Sequence, residues 1–235
     1  MADPHASPPG QDAVSNGNGI DLNNPPFPLT SIDRALLSTP DSAFHRITWS
    51  DLRHYINTNQ LEELKRLPSD LHRYLAWSHD IKTRYGSITA FVIQERLLWT
   101  PLSGPAEAPP RFSHVSAVPF EDERDFAVLL NDWPYGLAPG ILHLLVWSKT
   151  PIAVDVERGD VTPESRKLIV EFVERYFVGA IEAAEGEGGG KGWNKVLWFK
   201  NWVSLQSVRG VDHVHVLVRD VPEGLVERWT MRRDL

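Results

Sequence analysis

Two histidines carry the strongest chemical signal in this chain. They lie in Val211-Asp212-His213-Val214-His215-Val216-Leu217-Val218. In a strand, residues two apart share a face, so the two imidazoles project together while Val214, Val216 and Val218 take the other face. An imidazole near neutral pH can attack as a nucleophile, move a proton or hold a metal ion. A polar pair within a run of valines is costly unless each ring finds a partner. The plain alternative is a pair of core histidines satisfied by backbone carbonyls. Asn201, in Phe199-Lys200-Asn201-Trp202, precedes them. An Asn that ends one strand can meet the middle of the next antiparallel strand, and it also commonly does no more than end a strand. His143 interrupts the apolar run Leu142-His143-Leu144-Leu145-Val146-Trp147. As a third imidazole near the pair it is a candidate ligand or orienter.

These residues need elements to position them. Residues 1–40 are rich in Pro, Gly, Asn, Ser and Asp and read as a disordered or loosely attached leader, whose tail, Ile32 to Leu37, can pack locally. Residues 45–100 read as helical. Thr48 or Ser50 caps a first helix, Pro68-Ser69-Asp70 opens a longer one that Gly86 ends, and Ser87 caps a third. The proline-rich stretch 101–113 reads as a linker or long loop. From residue 114 the period changes. Val115 to Phe120, Phe126 to Leu130, Ile141 to Trp147, Val196 to Asn201 and Val211 to Val218 read as strands. Thr162-Pro163-Glu164 opens a helix between the third and fourth of them. The expected class is α+β, a mainly antiparallel sheet with a packed helix, preceded by a small helical segment. The expected division is leader 1–40, helical segment 45–100, α+β domain 114–220 and C-terminal tail 221–235.

Composition narrows the function. There are 235 residues with 42% hydrophobic, enough for a real core, and no cysteine. Disulfides, thiolate metal sites and a cysteine nucleophile are therefore excluded. A formal net charge of −7 without a basic run argues against a nucleic-acid partner. No apolar stretch approaches the ~20 residues needed to span a bilayer. Gly188-Gly189-Gly190-Lys191-Gly192 lacks the spacing of a phosphate loop and precedes a strand, so it reads as a flexible loop. No Gly-x-Ser-x-Gly elbow is present.

The order of motifs resembles the histidine-triad superfamily of nucleotide hydrolases and transferases. The match runs through Phe120-Glu121-Asp122, Asp132-Trp133-Pro134, His143-Leu144-Leu145-Val146 with Lys149, a helix, Asn201, and His213 and His215 as the middle and third histidines. The resemblance implies a histidine-triad (HIT-like) fold over roughly residues 115 to 220. It implies His213 as the nucleophile that forms a covalent nucleotidyl intermediate, with His215 as its phosphate-binding partner. Asn201 and Ser207 would contact the phosphate or ribose side, and His143, Asp132 and Lys200 complete the expected binding set. Val211 stands where the first histidine would fall, Asp212 at the next apolar position, Ser148 in place of a proline before Lys149, and Ser207 in place of a glutamine. Losing the first histidine removes part of the nucleophile's support.

A second resemblance covers about residues 45 to 220. Pro68-Ser69-Asp70-Leu71 through Tyr85-Gly86-Ser87, Asn131-Asp132-Trp133-Pro134-Tyr135-Gly136 and Trp198-Phe199-Lys200-Asn201-Trp202 resemble the fungal N-acetylglucosamine-induced protein family. That resemblance implies a fungal, cytoplasmic protein and supplies no reaction. The expected function is a nucleotide- or nucleotide-sugar-acting phosphohydrolase or nucleotidyl transferase without cofactor. Two alternatives stay open: a non-catalytic sugar- or nucleotide-binding regulatory protein, and a metalloenzyme ligated by His143, His213 and His215 with Asp132 or Asp212. The expected partner is a small molecule, with no nucleic acid and no membrane. Pairing into a homodimer, common in the first superfamily, is left open.

Overall fold

Residues 25–105, 108–155, 157–186 and 192–231 are described by the computed structural model. Most of the expected leader and glycine-rich loop lie outside these residues. The described end of the leader is folded. Thr30 and Asp33 form a reciprocal capping box at the start of α1 (Ser31–Leu37), and Leu37 is buried against Leu71. The expected disorder does not extend over this helix, and the local packing expected for Ile32 to Leu37 is present: two satisfied backbone donors and one buried leucine hold it.

The helical segment follows. Thr48 and Asp51 cap α2 (Trp49–Asn57) with a second capping box. Pro68 sits in the first turn of α3 (Pro68–Tyr85), and Gly86 ends it at φ 79, a conformation that favours glycine. Ser87 caps α4 (Ile88–Phe91), which runs on into a wider π-type turn over Val92–Leu97.

Four strands form one antiparallel sheet in the order β1 (Phe126–Leu130), β2 (Ile141–Ser148), β4 (Asp212–Arg219), β3 (Val196–Phe199). The chain is therefore α+β with an antiparallel sheet. The register pairs His143 with Leu217, Leu145 with His215 and Trp147 with His213. One face carries Leu144, Val146, Val214, Val216 and Val218, packed on Ile169, Phe172, Phe177 and Ile181. These belong to α5 (Pro163–Val173), a π-type turn over Glu174–Val178, and α6 (Gly179–Glu185). The other face carries the histidines and is covered by the helical segment, through Ile81, Ile88 and Val92 over Trp147 and Leu52, Leu61 and Leu64 over Phe199 and Leu217. Both faces are thus buried, which explains strands that read as continuous apolar runs.

Two further expectations are corrected. Val115 to Phe120 is an irregular loop. Its backbone N–H groups at Val115 and Ser116 donate to the buried Asp125 carboxylate, which removes them from any ladder. Residues 221–235, read as a tail, contain α7 (Glu223–Thr230), whose Leu225 and Trp229 join the core.

The Asn131–Gly136 turn ties the two halves together. Gly136 N–H donates to Lys65 O, its carbonyl accepts from Ile47 N–H, and Ala138 N–H donates to Ile47 O, all at 2.9 Å. A Cβ at Gly136 would lie 2.5 Å from Phe44 Cε1 and 3.0 Å from Leu67 N. Gly136→Ala is therefore expected to destabilise the protein by about 1–3 kcal/mol through overpacking. A chemical-denaturation midpoint unchanged from the parent would contradict that.

Candidate functional site

His213 and His215 project from β4 toward the helical segment, 5% and 6% exposed. His213 Nδ1–H donates to its own strand's Val211 O at 2.9 Å. A carbonyl only accepts, so the proton sits on Nδ1 and the Nε2 lone pair is left without a partner among the described residues. The ring packs against Trp147, with centroids 4.5 Å apart.

His215 is differently held. Asn201 Nδ2 donates to its Nε2 at 3.1 Å and to Tyr135 Oη at 3.1 Å. With Nε2 accepting, the neutral ring carries its proton on Nδ1 and donates to His143 Nε2 at 2.8 Å. Diagonal register across β2 and β4 makes this pairing reachable. Phe199 stacks flat on His215 at 4.6 Å and Tyr135 stacks on His143 at 5.0 Å. Asn131 Nδ2 lies 3.3 and 3.4 Å from the two His143 ring nitrogens. Asn201 Oδ1 is buried and has no hydrogen-bond partner among the described residues.

A cavity of about 260 Å³ opens onto this face. His213, His215, Asn201, Ser207 and Asp132 line it. His143 stands behind His215, outside the lining. Lys200 is also outside it, buried in an ion pair with Asp212 at 3.0 Å, while Asp212 accepts from Ile152 N–H as well. Val211, at the first triad position, is 2% exposed and packed among apolar residues.

The sequence reading missed the other wall. Tyr74, Trp77, Phe91 and Arg66 come from the helical segment, and Trp133 from the β1–β2 turn. Trp133 packs against Trp77 at 5.3 Å and Tyr74 at 5.7 Å. Arg96 pairs with Asp132 at 2.7 Å. The quoted motif Asn131-Asp132-Trp133-Pro134-Tyr135-Gly136 held the available signal, since four of its members, Asn131, Asp132, Trp133 and Tyr135, line the cavity.

Burial holds all three imidazoles neutral. It lowers His143 to about 3 and His213 to about 4, and places His215 well below the usual range, with the charges that protonated His143 and His213 would carry adding to the effect. The unfolded histidines titrate near 6.5. Below that pH the unfolded chain takes up protons that the native state refuses, so stability is full above pH 6.5 and falls as the pH drops toward 4. Each histidine kept neutral contributes a slope of about 1.4 kcal/mol per pH unit. Urea midpoints are expected to fall steeply between pH 6.5 and 4.5, and His213→Gln should reduce that slope by about one proton. A flat profile would contradict the burial of neutral rings.

Among the described residues, no group of three His, Cys, Asp or Glu is arranged to hold a metal ion. His143 and His215 direct nitrogens at each other, which removes them from a common ligand set. No helix among the described residues is long and apolar enough to cross a membrane.

Fold and site together define an α+β protein whose helix-covered antiparallel sheet presents a neutral histidine to an aromatic cavity. More particularly, the chain belongs to the family described as Protein of unknown function (DUF3605), matched over residues 48–219. It is 29% identical over 237 residues to N-acetylglucosamine-induced protein 1 of Candida albicans, covering 91% of this chain and 90% of that protein. It is 27% identical over 170 residues to the uncharacterized protein YPL067C of Saccharomyces cerevisiae, covering 72% of this chain and 77% of that one. Among solved structures it is similar to one described as Crystal Structure of HTC1, with 26% identity and a TM-score of 0.52, covering 75% of this chain and 86% of that chain. The expected likeness to the fungal N-acetylglucosamine-induced family is met by these relatives.

Proposed function

We propose that the chain is a histidine-triad-like phosphohydrolase or nucleotidyl transferase that acts on a nucleotide or nucleotide sugar, with His213 as nucleophile. One observation carries this reading. The bond from Nδ1–H to Val211 O fixes the tautomer in which the Nε2 lone pair is free, on a residue that lines the cavity. A neutral, oriented imidazole is what attack on phosphorus requires.

In that reaction Nε2 forms a bond to the α-phosphorus. The bond from phosphorus to the leaving oxygen breaks, and that oxygen departs with the electron pair and takes a proton from water. The phosphorylated ring is cationic, and Val211 O stabilises its Nδ1–H. Water, or an acceptor hydroxyl, then attacks phosphorus, the N–P bond breaks and neutral His213 is restored. His215 has both ring nitrogens engaged by Asn201 and His143, so its part is positioning. The cavity lies below the roughly 300–1,000 Å³ of drug-sized ligand sites. It suits one small unit of a ligand whose remainder lies outside.

The test is turnover of a panel of dinucleoside polyphosphates, nucleoside phosphoramidates and nucleotide sugars by the parent and by His213→Ala. Turnover by the parent that is lost in the variant supports the reading. A parent that turns over no member, indistinguishable from His213→Ala, sinks it.

A second reading is a binding or regulatory module that keeps the pocket without turnover. The buried, apolar Val211 at the first triad position favours it. Trp77 and Trp133 in the wall give the readout: ligand-dependent tryptophan fluorescence and a thermal shift without product support this reading. The absence of any shift across the same panel, with amino sugars added, counts against it.

A further inference from the structure

Arg66 takes no part in the mechanism above, yet its surroundings hold it in place. It lies between a short 3-10 turn, Leu61–Glu63, and α3. The carbonyl of the preceding Lys65 accepts from Gly136 N–H at 2.9 Å. Arg66 Nε donates to Trp133 O at 3.3 Å, and the guanidinium lies 4.0 Å from the centre of the Tyr74 ring. Backbone, Nε and ring face thus fix the plane of the group. Its Nη1 and Nη2 have no partner among the described residues.

The other charges along the wall differ. Arg96 is matched by Asp132 at 2.7 Å, and Glu62 lines the cavity from an exposed position. Arg66 also acts across the cavity. Its charge is one of the causes that keep His143 and His215 neutral. A planar cation with two unused donor nitrogens, stacked on an aromatic ring and facing a cavity, suits a bidentate oxyanion.

We propose that Arg66 is an anion subsite: its free guanidinium edge takes a phosphate or carboxylate group of the ligand, while the adjoining Trp133 and Trp77 wall takes the ligand's ring. This rests on the cavity being the ligand site, but not on His213 reacting. The cavity would therefore select charged small molecules over their neutral counterparts by charge-assisted bonds to one residue.

The test is equilibrium binding to His213→Ala protein, which removes turnover, read by tryptophan fluorescence and calorimetry. The probes are AMP against adenosine, glucose 1-phosphate against glucose, and glucuronate for the carboxylate arm. At least one charged probe is expected to bind about tenfold or more tighter than its neutral counterpart. Adding Arg66→Met should remove that preference, a loss of about tenfold to a hundredfold. Adding Arg66→Lys should weaken binding several-fold, because a point charge lacks the fork. A phosphate or a carboxylate preference identifies the group.

The proposal is overturned if neutral probes bind as well as charged ones, if no charged probe binds, or if Arg66→Met leaves affinity unchanged. Should Arg66→Met fail to fold, Arg66→Lys decides: a several-fold loss supports the subsite and an unchanged affinity overturns it. Charged probes that bind through Arg66 to a protein whose parent turns nothing over would leave this subsite standing and remove only the catalytic reading.

Discussion

His213→Ala is expected to lower turnover of a nucleotide substrate by at least about a thousandfold, because removing a nucleophile removes the covalent route altogether. The loss should fall on kcat rather than KM if the cavity walls supply the binding. His213 has one hydrogen bond, to Val211 O, and ring contacts with Trp147 and His215, so the fold should survive its truncation. His213→Gln restores bulk and an acceptor without a nucleophilic nitrogen, and should be equally inactive. Activity within a few-fold of the parent in either variant would contradict the assignment. Asn201→Ala provides the contrast. It releases His215 Nε2 and Tyr135 Oη together, so it should cut both stability and rate while leaving a measurable reaction.

The second large effect is structural. Asp125 is 1% exposed, and its carboxylate accepts from Val115 N–H through both oxygens at 2.9 Å and from Ser116 N–H at 2.7 Å. Asp125→Ala leaves those donors without a partner beside the core and is expected to cost about 3 kcal/mol. Asp125→Asn keeps one acceptor oxygen and should cost about half as much. The check is the midpoint of urea unfolding at constant slope. A shift under about 0.5 kcal/mol in Asp125→Ala would show that the carboxylate does not hold the loop.

Asp125 also shows where reading the sequence stops. Val115 to Phe120 has strand-like composition, and nothing local reveals that a carboxylate several residues downstream takes its backbone donors. The strands that were legible, Phe126–Leu130, Ile141–Ser148, Val196–Phe199 and Asp212–Arg219, are those whose apolar runs pair in the helix-covered sheet. The shared face of His213 and His215 was legible from period two alone, and His143 was expected near them as a third imidazole. The diagonal register that joins His143 to His215 was not, because it depends on how β2 aligns with β4. Arg66 and Trp77 were hidden for a similar reason. They belong to a helical segment whose spacing is explained by packing, and only the tertiary fold sets them across a cavity from the histidines. The local packing of Ile32 to Leu37 was legible, but the Thr30 and Asp33 capping box that starts this helix was outweighed by composition.

Central to the proposed reaction is the bond from His213 Nε2 to phosphorus. The direct measurement is intact-protein and peptide mass spectrometry of a reaction quenched under non-acidic conditions, with a substrate taken from the turnover panel. A nucleotidyl mass increment is expected on the peptide that carries His213, localised to that residue and lost in His213→Ala. Turnover with no increment on that peptide, or an increment that persists in His213→Ala, would contradict it.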